Sequence, residues 1–384
     1  MRIAHIIARL ILGGAQENTV LNCHDLLRDY GDEVLLITGP GLGPEGSLED
    51  DARARGVPLH VVSSLRRAIH PARDAVSYRE IARALADFRP DVVHTHGGKC
   101  GLFGRVIAWR QRVPAIVHTV HGAAFHPYQP APARAFFRLC EKIAARRCHA
   151  IISVADAMTD QLVAAGVAPR EQFTTIYSGM EVEPLLDSGG HRDRVRNELG
   201  YADADVVVGK IGRLFHLKGH ADLIAAARDA CRANPRLKLL LIGDGILRGQ
   251  LESQIAAAGL TDRCQFTGLV PPSRIPELLA ATDLVVHTSL REGLARVLPQ
   301  ALLAGRPVIS YDVDGAREVV LDCVTGYLVA PGDTKTLAAR IVELSNLPTL
   351  CHQFAAAGRE ACRTRFDHRE MTRQIRALYE RLLD

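Results

Sequence analysis

Short apolar runs alternate along the chain with longer stretches whose apolar residues recur every three or four positions. A short run predicts a buried strand, and the longer spacing predicts a helix with one apolar face. In the first half of the chain we predict strands at residues 3–7, 34–38, 59–62, 91–94, 115–120, 150–154 and 174–177. Strands that alternate with helices are typical of a parallel, doubly wound α/β sheet. Ligands of such sheets bind beyond the carboxyl ends of the strands.

A second series of elements begins after a polar, glycine-containing segment at residues 178–193, which we interpret as a connection between domains. This series predicts strands at 206–211, 239–242, 265–267, 284–287 and 308–311, and helices at 222–231, 247–258, 275–281 and 334–344. A last helix is predicted from about residue 365, where apolar residues again follow helical spacing. Because 384 residues exceed what one hydrophobic core usually supports, we expect two α/β domains.

The most informative loop lies in the stretch 289–320, between two predicted strands. Glu292 comes at a strand's carboxyl end, and Gly293 lets the backbone bend or approach a ligand closely. Pro299 is tolerated in the first turn of the short helix that follows, and the unpaired N–H groups at a helix start suit an anionic or hydroxyl-rich ligand. The alternative is an ordinary strand, helix and strand in which Glu292 is a solvated carboxylate.

Two other strand ends carry candidate binding residues. Arg213 and Lys218 flank a tight loop before a predicted helix, and two cations beside a helix N-terminus suit a diphosphate. A solvated basic loop is the alternative. Gly13 and Gly14 follow the first strand and permit close approach to a ligand. They equally fit a flexible turn, because the dinucleotide pattern G-x-G-x-x-G is not met.

Histidines cluster near two predicted strand ends. His94 and His96 form an H-x-H pair that could suggest a metal, but no carboxylate or third histidine stands at ligand spacing nearby in the sequence. We therefore predict no metal site. His118 lies inside a predicted strand, whereas His121 ends it before a glycine and is placed to aim its imidazole into a crevice. Capping of the next turn is an equally valid interpretation of His121.

Composition narrows the function classes. The net charge of +4 and the even spread of Lys and Arg argue against a nucleic-acid-binding protein. Nine cysteines without C-x-x-C pairs suit a reducing compartment. The first apolar run is too short for a signal peptide, and no run of about 18 apolar residues occurs. We expect a cytoplasmic protein, with contact to the inner face of a membrane left open.

The order of the strand-end motifs resembles one family across nearly the whole chain. The motifs are L-G-G-A-Q at 12–16, T-V-H-G at 119–122, G-R-L-F-H-L-K-G at 212–219, G-D-G at 243–245, F-T-G at 266–268 and R-E-G-L-A-R-V-L-P-Q-A-L-L-A-G-R-P-V at 291–308. Together they resemble retaining glycosyltransferases of the GT-B fold, in the large sugar-nucleotide-dependent group, similar to family 4, that carries a Glu-x7-Glu motif.

The resemblance implies two Rossmann-like, doubly wound domains that face a central cleft. Residues 1–178 would form the acceptor domain and residues 179–364 the donor domain, with the helix at 365–384 crossing back to the first domain. The implied substrates are a nucleotide-diphosphate sugar, with UDP sugars favoured, and a hydroxyl-bearing glycan, lipid-linked or small-molecule acceptor. No cofactor and no metal are implied, because protein cations would stabilise the departing diphosphate.

The resemblance also assigns roles to individual residues. Arg213 and Lys218 match the pair that grips the diphosphate, Glu292 matches the residue that binds sugar hydroxyls, and His121 matches a histidine at the reacting face. Further positions that match or lie in donor-binding motifs are Gly13, Gly14, Gly212, Gly243, Asp244, Val270, Gly293, Leu294, Arg296 and Gln300.

Gln300 is a departure from the family motif. It stands eight residues after Glu292, where the family usually has a glutamate that accepts hydrogen bonds from the nucleotide ribose. Glutamine keeps one acceptor oxygen but loses the charge, which weakens the contact. This departure keeps two alternatives open: a nucleotide-sugar epimerase or hydrolase of the same fold, and a non-catalytic module that binds a nucleotide sugar.

Overall fold

The computed structural model describes residues 1–43 and 46–384. These residues divide into two compact units. Unit 1 comprises Met1–Met180 and Phe366–Asp384, and unit 2 comprises Glu181–Arg365.

Unit 1 is built from strands joined by helical crossovers. Its strands are β1 (Arg2–Ile7), β2 (Glu33–Thr38), β3 (Leu59–Val61), β4 (Val92–His96), β5 (Ala115–Val120), β6 (Ala150–Ser153) and β7 (Phe173–Thr175). Its helices, before the chain enters unit 2, are α1 (Gly14–Tyr30), α2 (Glu49–Ala54), α3 (Pro71–Phe88), α4 (Gly98–Arg110), α5 (Ala131–Ala145) and α6 (Asp156–Ala164).

The strands of unit 1 form one parallel sheet in the order β3-β2-β1-β4-β5-β6-β7. The order reverses between β1 and β4, as in a doubly wound sheet. Central strands of such a sheet are buried on both faces and carry continuous apolar runs. β5 illustrates this, because all six of its residues are buried.

Unit 2 repeats this construction. Its strands are β8 (Val206–Ile211), β9 (Leu237–Ile242), β10 (Cys264–Gly268), β11 (Leu284–His287), β12 (Val308–Tyr311) and β13 (Gly326–Val329). Its helices are α7 (Glu183–Leu186), α8 (Arg192–Leu199), α9 (His220–Ala233), α10 (Arg248–Ala257), α11 (Ile275–Ala281), α12 (Val297–Leu303), α13 (Thr334–Asn346) and α14 (Pro348–Arg363). The parallel order β10-β9-β8-β11-β12-β13 reverses between β8 and β11.

Two elements of unit 2, β13 and α14, were not predicted from the sequence. β13 is only four residues long and starts at Gly326, where an added Cβ would lie 2.1 Å from the Val308 carbonyl oxygen. Glycine is required there because β13 approaches β12 closely. α14 packs on α12 through small residues, and a Cβ on Gly358 would lie 2.6 Å from Leu302. The apolar residues of α14, among them Leu350, Phe354 and Cys362, nevertheless recur at helical spacing.

The last helix, α15 (His368–Leu383), belongs to unit 1. Its apolar face contributes Met371, Ile375, Leu378 and Tyr379 to the core that contains β1 and α1. Polar contacts fix its register on α1. In one of them, Asp25 Oδ2 contacts His368 Nδ1 at 2.7 Å and accepts a hydrogen bond from Thr372 at 2.9 Å.

Across the part of the chain that the structure describes, no helix is both long enough and apolar enough to cross a membrane.

Unit 2 buries one lysine in its sheet. The Lys210 side chain on β8 is fully enclosed, and its Nζ donates a hydrogen bond to Thr288 Oγ1 at 2.8 Å. Burial, together with the nearby charge of Lys218, lowers the pKa of Lys210 to about 7, although the charges of Glu292 and Asp222 partly oppose the shift. Because an unfolded lysine titrates near 10.5, the unfolded chain binds the extra proton between these two values, and folding stability rises with pH across that window.

We therefore expect Lys210→Met to raise the melting temperature at pH 7, because the substitution removes the cost of burying an ammonium group. The gain should shrink as the pH rises towards 9, where the wild-type lysine is already neutral in the folded protein. Thermal unfolding of both proteins at several pH values measures this. Lys238→Met, the same change at a partly exposed lysine of β9, controls for the loss of a charge. A gain that is equal at pH 7 and pH 9 would contradict the lowered pKa.

Candidate functional site

The main group of candidate residues lies where the strand order of unit 2 reverses. β8 and β11 are neighbours in the sheet, and the loops that follow them, residues 212–219 and 288–296, leave from the same carboxyl edge. A gap between such loops is the usual ligand position in an open parallel sheet. Arg213 and Lys218 belong to the first loop, and Glu292 belongs to the second.

Lys218 and Glu292 form an ion pair across this gap. Lys218 Nζ donates to Glu292 Oε1 at 2.5 Å, and the two side chains remain 25% and 20% exposed. Glu292 also lies 3.5 Å from Nε2 of the buried His287, and its backbone N–H donates to Asp314 Oδ2 at 2.6 Å. The carboxylate therefore has a fixed position and still reaches solvent.

The surroundings of Glu292 keep it ionised. Burial alone would raise the pKa of Glu292, but the close contact with His287, the charge of Lys218 and the hydrogen bond from Lys218 together lower it well below its ordinary value. At neutral pH this site therefore presents a carboxylate, which accepts hydrogen bonds, beside an ammonium group, which donates them.

Backbone contacts hold the two loops together. The N–H of Leu290 donates to the carbonyl of Leu217 at 2.8 Å, and Thr288 Oγ1 donates to the carbonyl of Gly219 at 2.6 Å. Gly219 has φ of 63°, and a Cβ there would lie 1.8 Å from the Thr288 carbonyl oxygen. Only glycine fits this left-handed position, so the final glycine of the G-R-L-F-H-L-K-G motif is what allows Lys218 to approach Glu292.

The loop after β9 packs against the loop that carries Arg213. The N–H of Leu214 donates to the carbonyl of Asp244 at 2.9 Å. A Cβ on Gly243 would lie 2.4 Å from the carbonyl oxygen of Gly212, so this pair of glycines permits the contact. The Arg213 guanidinium lies 5.0 Å from the ring centroid of Phe215, a cation–π contact on an exposed part of the loop.

The remaining unit 2 candidates belong to neighbouring segments. Gly293 and Leu294 are buried in the loop before α12. Arg296 caps α12, and the N–H of Gln300 donates to its carbonyl at 3.1 Å, so the two lie on one side of the helix. Within the described residues, no hydrogen bond joins Gln300 to the Lys218–Glu292 pair. Val270 follows β10 and packs on the apolar cluster around Ile242.

The glycine pair of unit 1 lies at the start of α1. Gly13 is its N-cap with φ of 171°, an extended conformation open to any residue, and Gly14 is the first helical residue. A Cβ on Gly13 would meet only the end of the flexible Gln16 side chain, at 2.8 Å. The backbone conformation at Gly13 therefore does not require glycine.

Spacing along the sequence does not reveal that a third histidine of unit 1 lies beside His94 and His96. His5, His94 and His96 are buried together, with ring nitrogens of the three within 4.8 Å of one another. The sequence has no third histidine at ligand spacing near the H-x-H pair, but β1 pairs with β4 and places His5 directly beside His94 in space. Residues 94 and 96 point to the same face of the sheet as His5, a relation that strand register creates and local spacing cannot reveal.

Hydrogen bonds occupy most of these ring nitrogens. His94 contacts the Tyr379 hydroxyl through Nδ1 and the Thr119 hydroxyl through Nε2. His96 lies between His5, at 3.1 Å, and His121, at 3.0 Å. A metal ion would have to displace these bonds. Burial lowers the pKa of His5 to about 3 and the pKa values of His94 and His96 well below their ordinary range, so these three imidazoles are neutral.

Two family models cover most of the chain. The model described as "Glycosyl transferase 4-like domain" matches residues 14–179, and the model described as "Glycosyl transferases group 1" matches residues 191–361.

Characterised proteins share this similarity over much of their length. A GDP-mannose-dependent alpha-mannosyltransferase of Mycobacterium tuberculosis is 30% identical over 329 residues, which are 82% of this chain and 80% of that protein. A 2-deoxystreptamine glucosyltransferase of Streptomyces kanamyceticus is 29% identical over 298 residues, which are 76% of this chain and 77% of that protein.

The structure of HepE from Anabaena in complex with UDP-glucose matches with a TM-score of 0.84 at 24% sequence identity, and the match covers 99% of each chain. This likeness, together with the two parallel-sheet units, confirms the predicted GT-B fold. The family models and the identity to the mannosyltransferase show in addition that the chain belongs to the glycosyltransferase 4-like family of GT-B glycosyltransferases.

Proposed function

We propose that this glycosyltransferase moves a sugar from a nucleotide-diphosphate sugar to a hydroxyl acceptor with retention of the anomeric configuration. The observation that carries this proposal is the Lys218–Glu292 pair, which joins the loop that presents Arg213 to the loop after β11 at the reversal point of the unit 2 sheet. Cations there suit a diphosphate, and a carboxylate beside them suits sugar hydroxyls. UDP sugars are the favoured donors, which the complex of HepE with UDP-glucose supports.

Arg213 and Lys218 would act on the leaving group. Breaking the bond between sugar and phosphate develops negative charge on the diphosphate, and positioned cations stabilise that charge. In the free protein Lys218 already pairs with Glu292, so an arriving diphosphate would share or replace this partner. Glu292 would then be available to accept hydrogen bonds from the donor sugar.

Retention is what the resemblance to retaining GT-B enzymes implies, and without a protein nucleophile it requires attack on the face that the leaving group departs from. We assign no carboxylate nucleophile, and Glu292 is held by Lys218 and its backbone contact to Asp314. The acceptor hydroxyl would attack on the face from which the diphosphate leaves. We assign unit 2 to the donor and unit 1 to the acceptor, with His121 contributing a hydrogen bond at the reacting face and Gly13 and Gly14 closing over the phosphates.

We assign further donor contacts from positions in the family motifs. These residues are Gly212, Gly243, Asp244, Val270, Gly293, Leu294, Arg296 and Gln300. We further propose that no metal or cofactor takes part, since the cations are protein side chains.

The acceptor is a glycan, a lipid-linked molecule or a small molecule. A UDP-galactose-dependent Escherichia coli relative, named for a diphosphoundecaprenol acceptor, supports the lipid-linked class. We place the reaction in the cytoplasm or at the inner face of its membrane. The nine cysteines, all free thiols, support a reducing compartment.

The experiment that tests the function uses labelled UDP, GDP and ADP sugars with a panel of acceptors, each with and without excess chelator. Transfer that needs an acceptor, survives chelation and keeps the anomeric configuration by NMR is the expected result. Product formed without an acceptor would instead indicate an epimerase or hydrolase, and binding without product would indicate a non-catalytic module. Loss of transfer that added metal restores would contradict the metal-independent chemistry.

We expect Arg213→Met and Lys218→Met each to reduce kcat about a hundredfold, because one charge contact to the leaving group is lost from the transition state. Steady-state kinetics and thermal unfolding of the same preparations provide the measurement. His216→Ala, a change at an exposed residue of the same loop, is the control and should keep normal turnover. Near-normal turnover in both methionine variants would exclude the proposed cation pair.

Gln300→Glu tests the departure from the family motif. If the side chain faces the ribose, a carboxylate restores a charged acceptor for two hydroxyl groups and tightens donor binding by about 1 kcal/mol, roughly fivefold in Kd. Calorimetric titration of UDP into both proteins measures the change, and Gln300→Ala shows whether any side-chain contact exists. Equal affinity in all three proteins would show that residue 300 does not touch the nucleotide.

A further inference from the structure

Helix α5 of unit 1 presents an apolar stripe to solvent. Phe136 and Leu139 are each 54% exposed, and Ile143 is 39% exposed. Spacings of three and four residues place the three side chains on one side of the helix. Large apolar side chains that line up on an exposed face mark a surface that a partner covers.

The stripe is separate from the face that anchors α5 to unit 1. Glu141, Ala144 and Ala145 are the buried residues of this helix. Glu141 accepts a hydrogen bond from the fully buried Arg105 of α4 at 2.8 Å, which ties the two helices together. Since α5 already has its core contact, the exposed stripe is an additional apolar surface.

Positive charges border this stripe. Lys142 stands three residues after Leu139, and Arg146 and Arg147 stand three and four residues after Ile143, so these three cations lie beside the stripe, whereas Arg134 and Arg138 extend the basic surface around the helix. The only acidic residue in the helix sequence is Glu141, which is buried and paired. The exposed ionic groups of α5 are therefore all cationic. A helix with aromatic and aliphatic residues on one face and Lys and Arg beside them is typical of a membrane interface.

The loop that precedes α5 also exposes a side chain suited to a membrane interface. Tyr128, in the loop between His121 and the helix, is 55% exposed and lies beside the ring of His126. Tyrosine has an apolar ring and a polar hydroxyl, and it concentrates at the headgroup level of membranes.

We propose that α5 docks unit 1 on a membrane surface that carries anionic lipid headgroups. Phe136, Leu139 and Ile143 would enter the boundary between headgroups and acyl chains, while the neighbouring cations contact the headgroups. Charge argues against a second copy of the same face, because a symmetric contact would bring two sets of cations together. Such docking goes beyond the transfer reaction and does not depend on it.

Flotation of the full-length protein with lipid vesicles tests the proposal. We expect binding to phosphatidylcholine vesicles that contain about one-third phosphatidylglycerol, weak binding to pure phosphatidylcholine, and weakening by salt. K142E/R146E should weaken binding at least 25-fold, from a roughly fivefold contribution of each cation and the added repulsion of each new carboxylate. F136S/L139S should weaken binding by at least as much, because two apolar anchors are lost.

R228E/R232E is the matched control for charge. It reverses two arginines of α9 in unit 2 at the same four-residue spacing, with side chains 48% and 76% exposed, so the net charge changes equally. Binding that this control keeps and the two α5 variants lose supports the proposal. Wild-type protein that does not bind, or equal binding by all variants, overturns it. A dimer that F136S/L139S disperses, without vesicle binding, overturns it in favour of a second copy of the chain.

A second observation concerns the histidines of unit 1. His5 Nδ1 contacts His96 Nε2, and His96 Nδ1 contacts His121 Nε2, so three imidazoles form one hydrogen-bonded chain. The His96 and His121 rings also stack, with centroids 5.3 Å apart. A neutral imidazole has one N–H and one acceptor nitrogen, and therefore the bonds in such a chain must all run in the same direction.

His5, at the end of the imidazole row away from His121, fixes the direction of these hydrogen bonds. His5 Nε2 is buried and has no hydrogen-bond partner among the described residues. If that nitrogen carried the proton, a buried N–H would lack an acceptor, which is rarer in proteins than an acceptor without a donor. With the proton on Nδ1, His5 donates to His96, and His96 in turn donates to His121 Nε2. His121 then carries its own proton on Nδ1.

We propose that His5 and His96 are positioning residues that hold His121 in the tautomer protonated at Nδ1. This inference rests on the proposed function of His121 as a hydrogen-bonding group at the reacting face. In that role, Nδ1–H would be a donor to a hydroxyl of the sugar, and its orientation would be set by two residues that do not touch the substrate.

His5→Asn and His5→Leu form a nearly isosteric pair for the test. Asparagine can still donate to His96 from the position of Nδ1, whereas leucine cannot. We expect kcat to stay near normal in His5→Asn and to fall about tenfold in His5→Leu, with little change in KM. A packing role alone predicts the opposite order, because leucine suits a fully buried position better than asparagine does.

NMR of isotope-labelled histidine side chains reads the tautomer of His121 directly and needs no turnover. The expected result is protonation at Nδ1 in wild type and in His5→Asn, with loss of that preference in His5→Leu. His118→Leu is the control, because His118 is buried in the same sheet and contacts Thr95 instead. Protonation of His121 at Nε2 in wild type overturns this inference, whereas absent transfer with the expected tautomer contradicts only the proposed function.

Discussion

Right-handed crossovers let a parallel sheet grow in one direction only, so the chain must return to its first strand before it can extend the sheet the other way. In unit 1 this return falls between β1 and β4, and in unit 2 it falls between β8 and β11. Segments that follow the two neighbouring strands leave in opposite directions and open a gap at the carboxyl edge. The ion pair of Lys218 and Glu292 lies at this gap in unit 2, and the stacked rings of His5 and His96 lie on the corresponding strands of unit 1.

The histidine cluster and the Lys218–Glu292 pair both lie where the strand order of a sheet reverses. They differ chemically because they differ in burial. The histidine cluster is almost completely enclosed, and burial lowers the pKa values of His5 and His96 so far that the rings are neutral. A neutral ring has one N–H and one acceptor nitrogen, so the hydrogen bonds between such rings all run in one direction. Lys218 and Glu292 keep about a quarter and a fifth of their surface exposed, and the charge of Lys218 helps to keep Glu292 ionised. The unit 2 group is therefore charged, and the unit 1 group consists of neutral hydrogen-bonding rings.

Local sequence patterns predicted most of the fold, because central parallel strands are buried on both faces and therefore carry mostly apolar runs. The predicted strands at 115–120, 206–211, 284–287 and 308–311 coincide with β5, β8, β11 and β12. β13 was missed because it is short and starts at a glycine, whereas α14 was missed although its apolar residues follow helical spacing. The pairing of Lys218 with Glu292 could be anticipated, since both follow strands that a doubly wound order makes adjacent. The position of His5 could not, because only the register of β1 on β4 brings it to His94.

The ion pair also determines what a charged ligand gains from the unit 2 site. An unpaired lysine and an unpaired carboxylate, each largely enclosed, would be costly to keep, and their contact at 2.5 Å removes that cost in the free protein. A diphosphate that binds Lys218 must therefore compensate for the attraction that Glu292 gives up, and only the difference contributes to affinity. Hydroxyl groups that donate to Glu292 restore part of what the carboxylate loses. Such an arrangement favours a ligand that carries both a diphosphate and sugar hydroxyls. A diphosphate alone leaves the Glu292 carboxylate without a partner, and a sugar alone gains nothing from Lys218.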